Sequence, residues 1–210
     1  VDAVISDDPQ AVRQYLQEMV QFNKDITRVF VATPQGVEVF DYPLDQESIG
    51  GDFSHRDWFQ GLKRTGQPYV SDVYMRFAKP QVPIVAVGAP LRRGEEVVGY
   101  VIAQYRISDL VEWAGQLKPA EAGSITLLDR RGVSIFDDVT QEKPHPLFQQ
   151  LKGNEGSLVV DGADGQRTLI SHITVNPMGW RVIAQQPVEA VLAPATTALT
   201  RISWSSRSGR

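Results

Sequence analysis

"VFVATPQGVEVFD", Val29 to Asp41, and "ITLLDRRGVSIFD", Ile125 to Asp137, are two versions of one pattern. With Gly36 set over Gly132, the glycine, the valine after it, the phenylalanine and the last aspartate coincide, and the apolar positions are largely kept. In the first copy "ITRVFVA" and "VEVFDY" flank "TPQG", which predicts a hairpin from Ile26 to Tyr42. A second match follows in the same order: "VIAQ" stands at Val101 to Gln104 and again at Val182 to Gln185, each shortly after a glycine and an aromatic residue, Gly99-Tyr100 and Gly179-Trp180. Together they predict an α+β fold of two tandem units, each with a hairpin early and a hairpin late in one antiparallel sheet with flanking helices.

The rest of the chain fits around this repeat. Asp8 can cap a helix, Pro9 suits its first position, and Val12, Tyr15, Leu16, Met19 and Val20 recur at helical spacing. "VPIVAVGAPL" and "VVGYVIAQYRI" read as strands joined by "RRGEE". The helical pattern "SDLVEWAGQL" then runs into "LKPAEAG", Leu117 to Gly123, where proline and glycine mark a boundary. The expected division is residues 1–117 for a first unit, 118–190 for a smaller second one, and 191–210 for a C-terminal helix and tail. "VEAVLAPATTALTRIS" has alanine-rich helical spacing broken at Pro194, and the final "SSRSGR" is expected to fray.

Of 210 residues, 42% are apolar and 22% charged, the proportions of an ordinary globular protein. A net charge of −4 with mixed signs argues against a general nucleic-acid binder. The absence of cysteine removes disulfides, thiolate metal sites and a cysteine nucleophile. The longest apolar run, Ile84 to Leu91, is far short of the roughly 20 residues that span a bilayer. The chain begins at Val1 and carries no signal-peptide pattern, so it reads as a processed or excised segment.

"FSHRDWFQGLKRTGQPYVSDVY", Phe53 to Tyr74, is the segment richest in recognition chemistry. Ser54 and Asp57 form a capping-box pattern that predicts a helix from His55 to a stop at Gly66. Arg56 would sit in the first turn, where unpaired amides and the helix dipole already favour an anion, and its guanidinium can fork onto a carboxylate. Trp58, Tyr69 and Tyr74 can supply flat walls with one polar edge. The plainer alternative pairs Arg56 with Asp52 or Asp57 and makes Trp58 and Leu62 the face that anchors the helix. His55, His145 and His172 lack metal-ligand spacing, "SDD", "FDD" and "DGADG" lack that of a calcium loop, and nucleotide-binding and nucleophile-elbow motifs are absent. Ser71 and Asp72 read as fixing a loop rather than as half of a hydrolase site.

"RDWFQGLKRTGQPYVSDVY", then "PIVAVGAPL" and "EEVVGYVIAQYRISDL", resembles the double Cache family: paired PAS-like domains outside the membrane in bacterial chemoreceptors, sensor histidine kinases and diguanylate cyclases. The resemblance spans nearly the whole chain. It implies a long N-terminal helix of which only the end is present, a membrane-distal pocket in the first unit, and a proximal unit leading to a transmembrane helix. In members that bind amino acids, an arginine and a tryptophan of this helix and a tyrosine on the next strand hold the carboxylate, and an aspartate on the last strand pairs with the ammonium. Arg56, Trp58 and Tyr74 match the first group. Gln104 falls at or beside the aspartate position, Phe59 replaces the second helix tyrosine, and no tyrosine stands near Gly51 to Phe53.

A buried ammonium needs a paired charge, which glutamine does not supply. The expected ligand is therefore a small organic acid without an amine, held by Arg56, Trp58, Phe59, Tyr69, Asp72, Tyr74 and Gln104. The chain is expected to act as a periplasmic sensor portion of an inner-membrane receptor and a homodimer in the full-length protein. It would be neither an enzyme itself nor dependent on a cofactor, and anchored only through segments outside this sequence. The rivals are a ligand-free dimerisation or protein-interaction module and, last, a hydrolase.

Overall fold

The computed structural model describes residues 8–115, 123–136, 143–162 and 165–193. Helix α1 (Pro9–Phe22) starts as expected: Asp8 accepts a hydrogen bond from the Gln10 amide at 2.9 Å and proline takes the first helical position. Its Val12 and Leu16 are fully buried, and Tyr15, Met19 and Val20 flank them against the sheet.

The first sheet holds β1 (Ile26–Ala32), β2 (Glu38–Tyr42), β3 (Tyr69–Val70), β4 (Tyr74–Met75), β5 (Pro83–Arg93) and β6 (Glu96–Arg106), in the order β2-β1-β6-β5-β3 with β4 also on β5. Every pairing is antiparallel. Val29, Val31 and Ala103 face α1, whereas Phe30, Ala32, Ala86 and Ile102 face α2 (Asp57–Thr65). Because helices cover both faces, β1 is a nearly continuous apolar run rather than an alternating one. Helix α3 (Ile107–Gly115) follows β6 directly.

The second sheet holds β7 (Ser124–Leu128), β8 (Glu155–Asp161), β9 (Arg167–Val175) and β10 (Trp180–Pro187), in the order β7-β10-β9-β8. Both repeat matches lie on adjacent strands, and in the same register. Val29 pairs with Ala103 and Val31 with Val101 in the first sheet; their counterparts Ile125 and Leu127 pair with Ala184 and Val182 in the second. The α+β architecture of two antiparallel sheets is thus the one the repeat predicts. Trp180 is core, 1% exposed, and packs with Val73, Val85, Ile107 and Ile135 where the two sheets meet.

Two local expectations fail. Among the described residues the early hairpin of the second copy is limited to isolated bridges, Leu128 to Ser134 and Val133 to Pro144, although its turn repeats that of the first copy: the Asp129 carboxylate accepts from the Arg131 and Val133 amides as the Thr33 hydroxyl does from Gln35 and Val37. The capping box does not form either. Arg56, in extended conformation, is the N-cap of α2 without a side-chain cap, while Ser54 donates its own amide to Asp52. The stop at Gly66, left-handed at φ 63°, is as expected. Trp204, the Trp113 side chain, most of the "FDD" and "SDD" stretches and the chain beyond residue 193 lie outside the described residues; residues 188–193 are helical.

Two glycines let α2 lie close to its supports: a Cβ on Gly88 would meet Leu62 at 2.7 Å, and one on Gly61 would overlap the Tyr69 ring. Alanine at a helical glycine normally stabilises by about 1 kcal/mol. Here Gly61→Ala is expected to destabilise by about 1–3 kcal/mol, since overpacking outweighs propensity. Thermal unfolding checks the sign, and a raised midpoint would refute the close packing of α2 on Tyr69.

Candidate functional site

Strand register aims one set of side chains at α2. Arg28 and Phe30 are two apart on β1, Gln104 lies opposite Arg28 on β6, and Asp41 lies opposite Phe30 on β2. Tyr74 on β4 pairs with Ile84. Between this face and α2 lies a cavity lined by Arg56, Trp58, Tyr74 and Gln104, all anticipated, together with Arg28, Glu38 and the rings of Phe30, Phe53 and Phe77. Its free volume is about 10 Å³, close to that of a single water. Larger depressions of about 640 and 300 Å³ lie beside the ends of β1 and β6, where Arg106 pairs with Asp109 at 2.9 Å.

Arg56 meets none of the plainer alternatives. Asp52 is engaged by the Ser54 amide and Asp57 by Tyr69, Asp72 and Arg130. Among the described residues no carboxylate lies within salt-bridge reach of Arg56; its guanidinium stacks on Tyr74, 4.8 Å from the ring centre. Trp58 is 1% exposed and sets its edge against Phe30 at 5.5 Å, so it is both helix anchor and cavity wall. Tyr74 Oη and Gln104 Oε1 are buried, lie near each other, and lack a well-formed hydrogen bond. Burial pushes the Tyr74 phenol far up, with the nearby Arg56 charge opposing, so the hydroxyl keeps its proton.

Three anticipated residues stand elsewhere. Phe59 points away from the cavity into the core, its ring 5.6 Å from Tyr100. Tyr69 donates its hydroxyl to Asp57 at 3.0 Å, on the side of α2 away from the cavity. Asp72 forms an ion pair with Arg130 at 3.1 Å. Residues of one helix or strand can face opposite ways, and sequence proximity alone did not separate them.

The floor of the cavity went unrecognised in the sequence. Arg28 donates to Glu38 at 2.6 Å, to Asp41 at 2.7 Å and to the Ser48 hydroxyl, and all four residues are buried. Charged residues inside the apolar strands "ITRVFVA" and "VEVFD", facing the same side as Gln104, were the available signal. One cation faces two carboxylates. Desolvation raises the Glu38 carboxyl from 4.5 to about 7, against the attraction of Arg28, and Glu38 Oε2 is left buried without a partner. The floor therefore presents Gln104 Oε1 as an acceptor and Glu38 Oε2 as an acceptor when ionised and a donor when protonated, while Arg56 and the Tyr74 hydroxyl supply donors.

No curated protein sequence matches the chain. Solved structures with the same fold include the ligand-binding domain of the amino acid chemoreceptor PctB of Pseudomonas aeruginosa PAO1 in complex with L-Gln. It is 15% identical, with a TM-score of 0.71 over 94% of this chain and 83% of that one. The ligand-binding domain of chemoreceptor CtaA of Pseudomonas fluorescens with L-isoleucine is 14% identical, with a TM-score of 0.66 over 90% and 81%. An extracellular ligand binding receptor from Desulfohalobium retbaense is 16% identical, with a TM-score of 0.68 over 84% of this chain; the match spans about a third, 33%, of that longer chain. The Cache domain family matches residues 2–195, nearly the whole sequence, and the chain belongs to that family of extracellular sensing domains in its double form.

Proposed function

We propose that this chain is the ligand-binding portion of a membrane-anchored receptor, and that the cavity between α2 and the first sheet takes a small carboxylate. The observation that carries this is Arg56, a guanidinium at a cavity with no carboxylate in reach among the described residues, held over the Tyr74 ring. A ligand carboxylate can accept from Arg56 and from the Tyr74 hydroxyl. Its other end would meet Gln104 Oε1, an acceptor, and Glu38 Oε2, which accepts when Glu38 is ionised and donates when it is protonated. Glu38 thus changes the expectation of an amine-free acid: the floor suits a hydroxyl, an amide or an ammonium, so hydroxy acids and amino acids both belong in the candidate class. Amino acids are what the named PctB and CtaA structures hold.

The free volume leaves no room for such a molecule unless Phe77 moves. Phe77 is half-exposed, rests its ring on Phe53 at 5.7 Å, and belongs to a loop tied by Arg76 to the Ala78 and Pro80 carbonyls. Entry of a ligand would shift the balance between open and closed arrangements by its difference in affinity for the two. We read residues 1–117 as the membrane-distal unit, 118–190 as the proximal one and 191–210 as leading toward the membrane. Dimerisation and any kinase, cyclase or chemotaxis output belong to the longer receptor, and the chain itself is read as binding rather than catalytic.

A thermal-shift screen against organic acids, hydroxy acids, amino acids, amines and sugars tests the site. A hit at 100 times its dissociation constant should add about 2.7 kcal/mol, or roughly 5–10 °C. Arg56→Ala is expected to weaken that hit at least tenfold, about 1.4 kcal/mol or more; unchanged binding would remove Arg56 from the site.

The Glu38 proton gives a second check. Its folded-state pKa of about 7 lies above the ordinary 4.5, so the folded protein holds this proton more tightly than the unfolded chain. The associated stability is fully present below about pH 4.5 and is lost as pH rises through 7. Measured as the difference between wild type and Glu38→Gln, stability should fall over that window by on the order of 3 kcal/mol. A flat difference would mean that Glu38 titrates normally.

A further inference from the structure

We propose that Arg130, supplied by the second unit, is a positioning residue for the cavity of the first: it holds α2 and the segment leading to Tyr74 in the arrangement that sets Arg56 over the Tyr74 ring. The proposal rests on reading that cavity as the ligand site. Its basis is how completely one guanidinium joins the two units. Arg130 Nη2 meets Asp57 Oδ2 at 2.8 Å, and Nε meets Asp72 Oδ1 at 3.1 Å. Nη1 donates to the Val70 carbonyl at 2.9 Å in the first unit and to the Met178 carbonyl at 2.8 Å in its own. The plane of the group lies 4.6 Å from the centre of the Tyr69 ring, and the Arg130 amide also donates to Asp72 at 3.1 Å.

The partners are the immediate neighbours of the cavity residues. Asp57 follows Arg56 and precedes Trp58, and its carboxylate is fully engaged by Tyr69, the Asp72 amide and Arg130. The same turn grips Val73, which precedes Tyr74: the Val73 amide donates to Asp129 at 3.3 Å, and Arg131 donates to the Val73 carbonyl at 2.6 Å. Both halves of the Arg56–Tyr74 stack are therefore tethered, one residue away, to a single turn of the second sheet. In the first copy of the repeat the equivalent turn carries Pro34 and Gln35 where the second carries Arg130 and Arg131. Gly179, left-handed at φ 75°, makes room for the Arg130 stem, since a Cβ there would sit 3.1 Å from Arg130 Cγ. A partly buried, forked ion pair of this kind is worth more than an exposed one and fixes orientation as well as distance. Coupling through it must run both ways.

Hydrogen exchange read by mass spectrometry on the whole chain, with no small molecule added, tests this. Arg130→Ala is expected to speed exchange at least tenfold in residues 56–62 and 72–76, while 29–31 and 101–103 of the same sheet stay as in wild type. Asp57→Asn, on the other side, is expected to speed exchange in 129–135 and 176–180 of the second unit. Changes confined to the mutated unit would overturn the proposal, and so would a uniform rise across both sheets, which would make Arg130 a support of the fold at large. If Arg130→Ala does not fold, Asp57→Asn decides by the reach of its effect. Because no ligand enters the experiment, its result is independent of the thermal-shift screen: a silent screen with cross-unit exchange leaves the coupling standing, and a ligand hit without it leaves only the site.

Discussion

The carboxylate of Asp57 is the point on which the arrangement of this protein turns. Standing first in α2, it sits where the free amides and dipole of the helix start favour a negative charge, yet it is spent on three groups from other segments: the Tyr69 hydroxyl, the Asp72 amide and Arg130. One side chain thereby fixes the helix that carries Arg56 and Trp58, the strand entry that carries Tyr74, and the neighbouring sheet. It also explains why Arg56 keeps its charge for something else. The aspartate beside it in sequence, the obvious partner, is already taken.

Beneath α2 the electrostatics are of another kind. Arg28, Glu38 and Asp41 share a buried network in which each charge costs several kcal/mol to desolvate, and the arginine cannot neutralise both carboxylates. The surplus falls on Glu38, whose proton is held to about pH 7 and whose second oxygen lacks a partner. Unsatisfied buried acceptors are costly in a core and are retained where a site uses them. Packed rings surround these groups: Phe30, Phe53 and Trp58 give the walls, so that a small polar molecule would exchange water for a few strong hydrogen bonds in a low-dielectric setting.

The tandem organisation was open to reading because sheets impose periodicity on sequence. The matches at Gly36 with Gly132 and at the two "VIAQ" segments fall on adjacent strands paired in identical register, where a one-residue slip would turn every buried side chain outward. Helix α1 was equally legible, since a proline, an N-cap aspartate and a three-four apolar stripe act locally. The second copy's early hairpin was not: its apolar pattern and its turn match those of the first copy, Asp129 standing where Thr33 does, yet among the described residues only isolated bridges follow. Nor was the start of α2, where Ser54 has the right composition for a cap and the wrong place in space.

At the site the division is sharper. From the sequence alone came the fold class and the helix bearing Arg56 and Trp58, which follow from the repeat and from local pattern, and, through the resemblance to the double Cache family, Tyr74 and Gln104 as its counterparts on strands. Only the tertiary structure brought Arg28 and Glu38 to the same cavity and turned Phe59, Tyr69 and Asp72 away from it. The physical reason is that side-chain direction within an element is set by what the other face must bury, and that charges distant in sequence change one another's protonation only once folding removes the water between them.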